Sequence, residues 1–97
     1  MRHHELKTWP EPFEAILSGA KRHEVRVDDR GFAVGDILPL REWDPTPTPF
    51  SARGYTEREI TCRVTYLSAG GRWGLPGNVC VMTIETGKQV VVQEKCK

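Results

Sequence analysis

One stretch of this chain has helical period, and the residues after it do not. Phe13, Ile16, Leu17 and Ala20 recur at three- and four-residue spacing and form a single apolar stripe. Pro10 and Pro12 stand at its front, where a missing amide donor costs little. Gly19 stands at its end, where a left-handed residue stops a helix. From His23 onward apolar residues alternate or run together between glycines and prolines. Such a chain folds as a small, strongly bent sheet with one early helix: α+β, mostly β, with five to six strands. Its 97 residues predict a single domain, 1–97, with a modest core and no large interior cavity.

The strands are expected at five further places besides a short one over residues 4–8, where Leu6 points inward. Residues 23–28 form the second, with Val25 and Val27 on the core face. Residues 37–43 form the third. In 59–67, Ile60, Cys62, Val64 and Tyr66 face one way, and Thr61, Arg63 and Thr65 the other. Residues 79–84 are almost continuously apolar, as in a strand covered on both faces. Residues 88–93 can add an edge strand. Asp29-Arg30-Gly31 and Val34-Gly35-Asp36 are turns. Residues 44–54 read Asp-Pro-Thr-Pro-Thr-Pro-Phe-Ser-Ala-Arg-Gly, a proline-rich surface excursion that cannot join a ladder. It is either a plain loop or a docking site for a proline-recognising module. Gly70 opens a glycine-rich loop that carries Arg72 and Trp73, and Trp73 either stacks on a base or pins the loop to the core.

Charge narrows the function classes. Fourteen basic and thirteen acidic residues give a formal charge of +1, too balanced for a protein that coats DNA with a broad basic face. Residues 1–30 hold six of each sign, so any nucleic acid must bind at a local pocket. Mean hydropathy is −0.48, no apolar run reaches membrane length, and the start is polar from Arg2 to Lys7. A cytoplasmic setting without membrane partners is expected. Cys62, Cys80 and Cys96 are odd in number with no close pair, so neither a disulfide framework nor a zinc ribbon is expected. His3 and His4 are adjacent and would face opposite ways on a strand, His23 falls on the other face from Glu24, and no metal motif is present. No metal or other cofactor is implied.

The densest chemistry lies in Gly19-Ala20-Lys21-Arg22-His23-Glu24-Val25-Arg26. Side chains two apart on a strand share a face, so Glu24 and Arg26 project together, roughly 6.5 Å apart along the strand. Lys21, at the helix–strand corner, reaches both. Three long charged groups converge there, either as a solvated ion-pair set or as a ligand site. Lys7 and Trp9 share a parity opposite to Leu6 and should project together near the start of the helix. Lys7 would add charge, while Trp9 either stacks on a ligand or packs under the helix. Asp29 and Arg30 are either a plain turn, with Asp29 bonding its own backbone, or a turn from which Arg30 reaches back over the cleft.

That run has the form G-x-K-x-x-E-x-R. With His4-Glu5-Leu6-Lys7, Pro12-Phe13-Glu14-Ala15-Ile16-Leu17, Asp29-Arg30-Gly31-Phe32 and Gly35-Asp36, it resembles the signature of ASCH domains, a branch of the PUA-like superfamily. In particular it resembles the small ASCH-related family of uncharacterised bacterial and phage proteins, over most of residues 4–67 and weakly over 79–85. The resemblance implies a PUA-like pseudo-barrel whose motif lines a cleft between the first helix and the sheet. It implies a module for RNA, a nucleotide or a modified nucleoside, with Lys7, Trp9, Lys21, Glu24, Arg26, Asp29 and Arg30 as ligand-binding residues. Some ASCH-like proteins are amidohydrolases that deacetylate N4-acetylcytidine through a threonine nucleophile. This chain has Glu24 at that position, and Lys21 matches the neighbouring lysine. An alternative is therefore a small amidohydrolase or nuclease in which Lys21 and Glu24 are catalytic, Glu24 acting as a general base on water. A further alternative is a phage or bacterial accessory domain that binds another protein through the proline-rich excursion.

Overall fold

The computed structural model describes residues 1–46, 54–87 and, for the backbone alone, 91–92. Its elements are β1 (Leu6–Thr8), α1 (Pro10–Ser18), β2 (His23–Val27), β3 (Ile37–Asp44), β4 (Gly54–Ser68), β5 (Val79–Thr86) and β6 (Val91–Val92). The chain is mostly β with one early helix, as expected. The strands form one sheet in the order β1-β3-β4-β5-β2, and β6 pairs with β4 off that path. β1 runs parallel to β3, and the other pairings are antiparallel. Most of the 44–54 excursion, part of the 88–93 strand and Cys96 lie outside the described residues.

α1 begins at Pro10 and ends at Gly19, which takes the left-handed conformation (φ 89°) and donates its amide to the Ile16 carbonyl. The Lys21 amide then bonds the Ala15 carbonyl at 3.0 Å and turns the chain into β2. The helix buries Phe13 and Ile16, whereas Leu17 and Ala20 are exposed, so its apolar stripe is narrower than the spacing predicts.

The sheet curls into a half-barrel over a core of Leu6, Phe13, Ile16, Phe32, Leu38, Leu40, Ile60, Cys62, Val64, Cys80, Met82 and Ile84. Burying these side chains supplies most of the driving force, at about 1.5–3 kcal/mol for each large one. Two expectations for β4 and β5 change. A register shift between Val64 and Tyr66 breaks the alternation in β4. Tyr66 swings out to 65% exposure and Leu67 turns to the core instead. In β5 only Cys80, Met82 and Ile84 are buried; Val79 and Val81 are half-buried and Thr83 is exposed, so one face of this strand is open.

The largest difference lies in β2. Val25 and Val27 were expected on the core face, yet they are 51% and 53% exposed. Glu24, 4% exposed, points to the concave side, and Arg26 follows it half-buried. The reason is the neighbour that β2 meets on that side. β1 and β2 are the two edges of the sheet and share no ladder. Where the curl brings them together, the seam is bridged by guanidinium groups: Arg26 Nη2 donates to the Lys7 carbonyl and Arg30 Nη1 to the Glu5 carbonyl, each at 3.1 Å. Valine in that position could offer the β1 carbonyls no donor.

Candidate functional site

The seam opens into a cleft of about 430 Å³ lined by Lys7, Thr8, Trp9, Pro12, Lys21, Glu24, Val25 and Arg26. Three elements converge on it. β1 supplies Lys7 and Thr8, the start of α1 supplies Trp9 and Pro12, and the α1–β2 corner with β2 supplies the charged trio.

Glu24 is clamped from both sides. Lys21 Nζ donates to Oε1 at 3.1 Å, and Arg26 Nη2 donates to Oε2 at 3.0 Å. Lys21 also bonds the His23 carbonyl, which fixes its ammonium at the corner. The Glu24 side chain is 6% exposed, those of Lys21 and Arg26 21% and 26%. A carboxylate this buried is tolerable only when paired and hydrogen-bonded. The clamp leaves donors over: among the described residues, one Lys21 proton, Arg26 Nε and Arg26 Nη1 have no protein acceptor.

Lys7 sits at the rim, its ammonium 4.2 Å from the centre of the Trp43 ring. Trp9 is at the helix N-cap position and 56% exposed, so it does not pack under the helix. Asp29 and Arg30 stand outside the cleft lining. Arg30 bonds the Glu5 carbonyl and pairs with Asp29 at 3.6 Å, and its own carbonyl accepts from Arg2. It is Asp28, not Asp29, that closes the turn, its Oδ1 accepting from the Gly31 and Phe32 amides at 2.9 and 3.1 Å. Of the seven binding residues read from the sequence, the structure thus brings Lys7, Trp9, Lys21, Glu24 and Arg26 to one cleft.

Thr8 was missed. It is 2% exposed, lines the cleft, and its hydroxyl has no hydrogen-bond partner among the described residues. Its parity with Leu6 was the available signal, since a residue two beyond an inward leucine also points inward. A second buried polar group was missed too. Glu42 shares the inward parity of Leu38 and Leu40 and accepts from Arg58 Nε at 2.8 Å, Arg58 Nη2 at 3.0 Å and the Thr56 hydroxyl at 2.6 Å. The Arg58 guanidinium holds its carboxyl below the usual range, with the Thr56 hydroxyl adding to this against the effect of burial. Arg58 also pairs with Glu14 and lies 4.8 Å from the centre of the Phe13 ring, tying helix to sheet. Glu42 and Thr8 are register partners across β1 and β3.

A further buried pair lies away from the cleft lining. His4 Nε2 and Asp36 Oδ2 are 2.9 Å apart and buried, and Asp36 also accepts the Arg2 and Ala33 amides. Burial pushes the Asp36 carboxyl up, but the Arg2 amide, His4 and the Ala33 amide together hold it below its ordinary value. Cys62 is pushed up to about 12 by burial first and by the Glu24 charge second, so it is no thiolate nucleophile. Among the described residues no cluster of three or more His, Cys, Asp or Glu forms a metal site, and no helix is long and apolar enough to cross a membrane. A second cleft, of about 480 Å³, lies beyond Lys21 between Gly19 and Thr83–Thr86; its carboxylate Glu85 is exposed and pairs with Arg63, and among the described residues none of its hydroxyls is buried and unpaired.

Two comparisons with known proteins bear on this site. The chain is 34% identical over 71 residues to the "Uncharacterized 12.9 kDa protein in GpA 3'region" of Escherichia phage P2. The match covers 72% of this chain and 58% of that protein, so the chain spans little more than half the length of this relative. The family model for a domain of unknown function, DUF3850, matches residues 3–84 and takes in both edge strands and every residue of the cleft. The chain belongs to the DUF3850 family.

Proposed function

We propose that this chain is a PUA-like binding module that takes RNA, a nucleotide or a modified nucleoside into the seam cleft between β1 and β2. One observation carries the reading: the edge strand β2 turns its charged residues inward and its valines outward. The Lys21 and Arg26 clamp offsets the desolvation cost of burying Glu24, and the arrangement concentrates donors at the floor of a cleft. The volume of about 430 Å³ suits a small ligand and is too little for a structured macromolecule, so RNA would insert one unstacked nucleotide. Trp9, exposed at the rim, offers a stacking surface beside the Lys7 charge.

Binding is favoured over proton transfer by the clamp on Glu24. A general base must be able to reach the proton it abstracts, and both Glu24 oxygens are held in place by Lys21 and Arg26. The test is titration of wild type, Lys21→Ala and Arg26→Ala with short RNAs, nucleosides and nucleotides, alongside a chromatographic assay of N4-acetylcytidine. Each variant should lose about tenfold or more in affinity, as expected for a charge-assisted contact of about 1.5–3 kcal/mol, and the acetyl group should stay in place. Unchanged affinity in both variants would remove the cleft as the site. Robust deacetylation by wild type would replace the binding module with the hydrolase.

A further inference from the structure

We infer that Thr8 is a specificity residue of the cleft, and that the ligand enters with a neutral hydrogen-bonding edge first and any phosphate outward. The inference rests on the reading of the cleft as a ligand site. Among the described residues the Thr8 hydroxyl is buried without a partner, while neighbouring polar groups of the seam are paired through Arg26, Lys21 and Arg58. Buried polar groups without partners are uncommon and are unfavourable for the folded state. Valine has nearly the same shape and would fill the site without that penalty. A threonine at this position, in a residue that lines the cleft, indicates a hydroxyl that is satisfied when the cleft is occupied.

Charge decides the orientation. Two cations on a cleft floor invite the assignment of a phosphate, but both donate to Glu24, whose carboxylate lies between them and cancels one of their two charges. A phosphoryl group at the floor would lie beside a buried carboxylate, and like charges in a poorly solvated site repel strongly. What the floor offers is mixed: the Thr8 hydroxyl as donor or acceptor, the remaining lone pairs of Glu24 as acceptors, and Arg26 Nε and Nη1 as donors. That set matches the edge of a nucleobase, where amide carbonyl, ring N–H and exocyclic amine alternate. Lys7, exposed at the rim, is the cation left for a phosphate that points to solvent.

The probes are the four ribonucleosides, their 5′-monophosphates and inorganic phosphate, titrated calorimetrically against wild type, Thr8→Val, Thr8→Ser and Lys21→Ala. At least one nucleoside should bind wild type, its monophosphate within a few-fold of it, and inorganic phosphate at least tenfold more weakly. Thr8→Val should lose about tenfold in affinity while its Tm rises by roughly 5 °C, because an unpaired buried hydroxyl has been removed. Thr8→Ser should retain affinity within about threefold, since the hydroxyl is kept. If Thr8→Val binds as wild type does while Lys21→Ala is weakened, the Thr8 assignment falls and the cleft reading stands. If inorganic phosphate binds as tightly as the nucleotides and displaces them, the orientation is overturned. A fall in Tm for Thr8→Val would show that the hydroxyl is satisfied within the fold, which also overturns the assignment. If wild type binds no probe, the assignment and the reading of the cleft fall together.

Discussion

Arg58→Met should be the most damaging single substitution outside the hydrocarbon core, and the structure says by how much. The change removes two donors from Glu42, at 2.8 and 3.0 Å, and leaves that carboxylate, 4% exposed, with the Thr56 hydroxyl alone. Breaking a buried pair by deleting one partner costs about 3–5 kcal/mol. The Arg58 side chain is 28% exposed, so solvent relieves part of this and the lower figure applies. Losing the cation from the Phe13 ring adds about 0.5–1 kcal/mol. A total near 3–4 kcal/mol is a large share of the roughly 5–15 kcal/mol expected of a whole domain. It should lower Tm by about 12 °C or more. Urea melts monitored by circular dichroism measure the loss directly. Arg58→Met with Glu42→Leu should recover most of it, because the stranded charge is gone and Thr56, which is exposed, can turn to water. A single variant that costs under about 1 kcal/mol, or a double variant no more stable than the single, would refute the argument.

Two further outcomes follow from the packing of the loop and of the buried pair. A methyl at Gly70 would stand 2.4 Å from the Pro76 carbonyl oxygen and 2.6 Å from those of Gly77 and Val79, all main-chain atoms. Gly70→Ala should therefore cost about 2 kcal/mol or more in the same melt, and a neutral result would show that the 70–78 loop is packed differently. Asp36 titrates below its ordinary value in the fold, so its contribution is complete above the unfolded carboxyl range near pH 4 and is lost as the pH falls through the folded value. Wild-type Tm should fall as the pH drops below about 4, whereas Asp36→Asn should be less stable at pH 7 and show a flatter acid limb; parallel acid limbs would assign the sensitivity elsewhere.

Much of the architecture was legible because its signals are local. Pro10 and Gly19 bracket the helix with chemistry that acts on the residues beside them, and Gly35 marks its turn through a positive φ of 96°. Lys21, Glu24 and Arg26 were legible as a group because strand alternation alone puts the last two on one face. Which face was not. Alternation separates a strand into two sets, and hydrophobicity normally chooses the inner one, but at β2 the unmet carbonyls of β1 choose instead. Glu42 with Arg58, and His4 with Asp36, are separated by 16 and 32 residues, so only register brings each pair together. Tyr66 was assigned inward by simple alternation, which a bulge of one residue overturns.

The way β1 and β2 meet has a bearing on how relatives of this domain can diverge. Bonds between neighbouring strands are made by main-chain atoms that every residue other than proline supplies, so they survive most changes of sequence. At this boundary the joining atoms belong to side chains, those of Arg26 and Arg30, and are lost or replaced by single codon changes. The rest of the sheet can keep its strand order and register while the lining of the boundary is rewritten. Inheritance of the architecture and inheritance of the cleft lining are thereby separable: two proteins with this strand order share a frame, and residues 7–9 and 21–26 can differ between them without disturbing it.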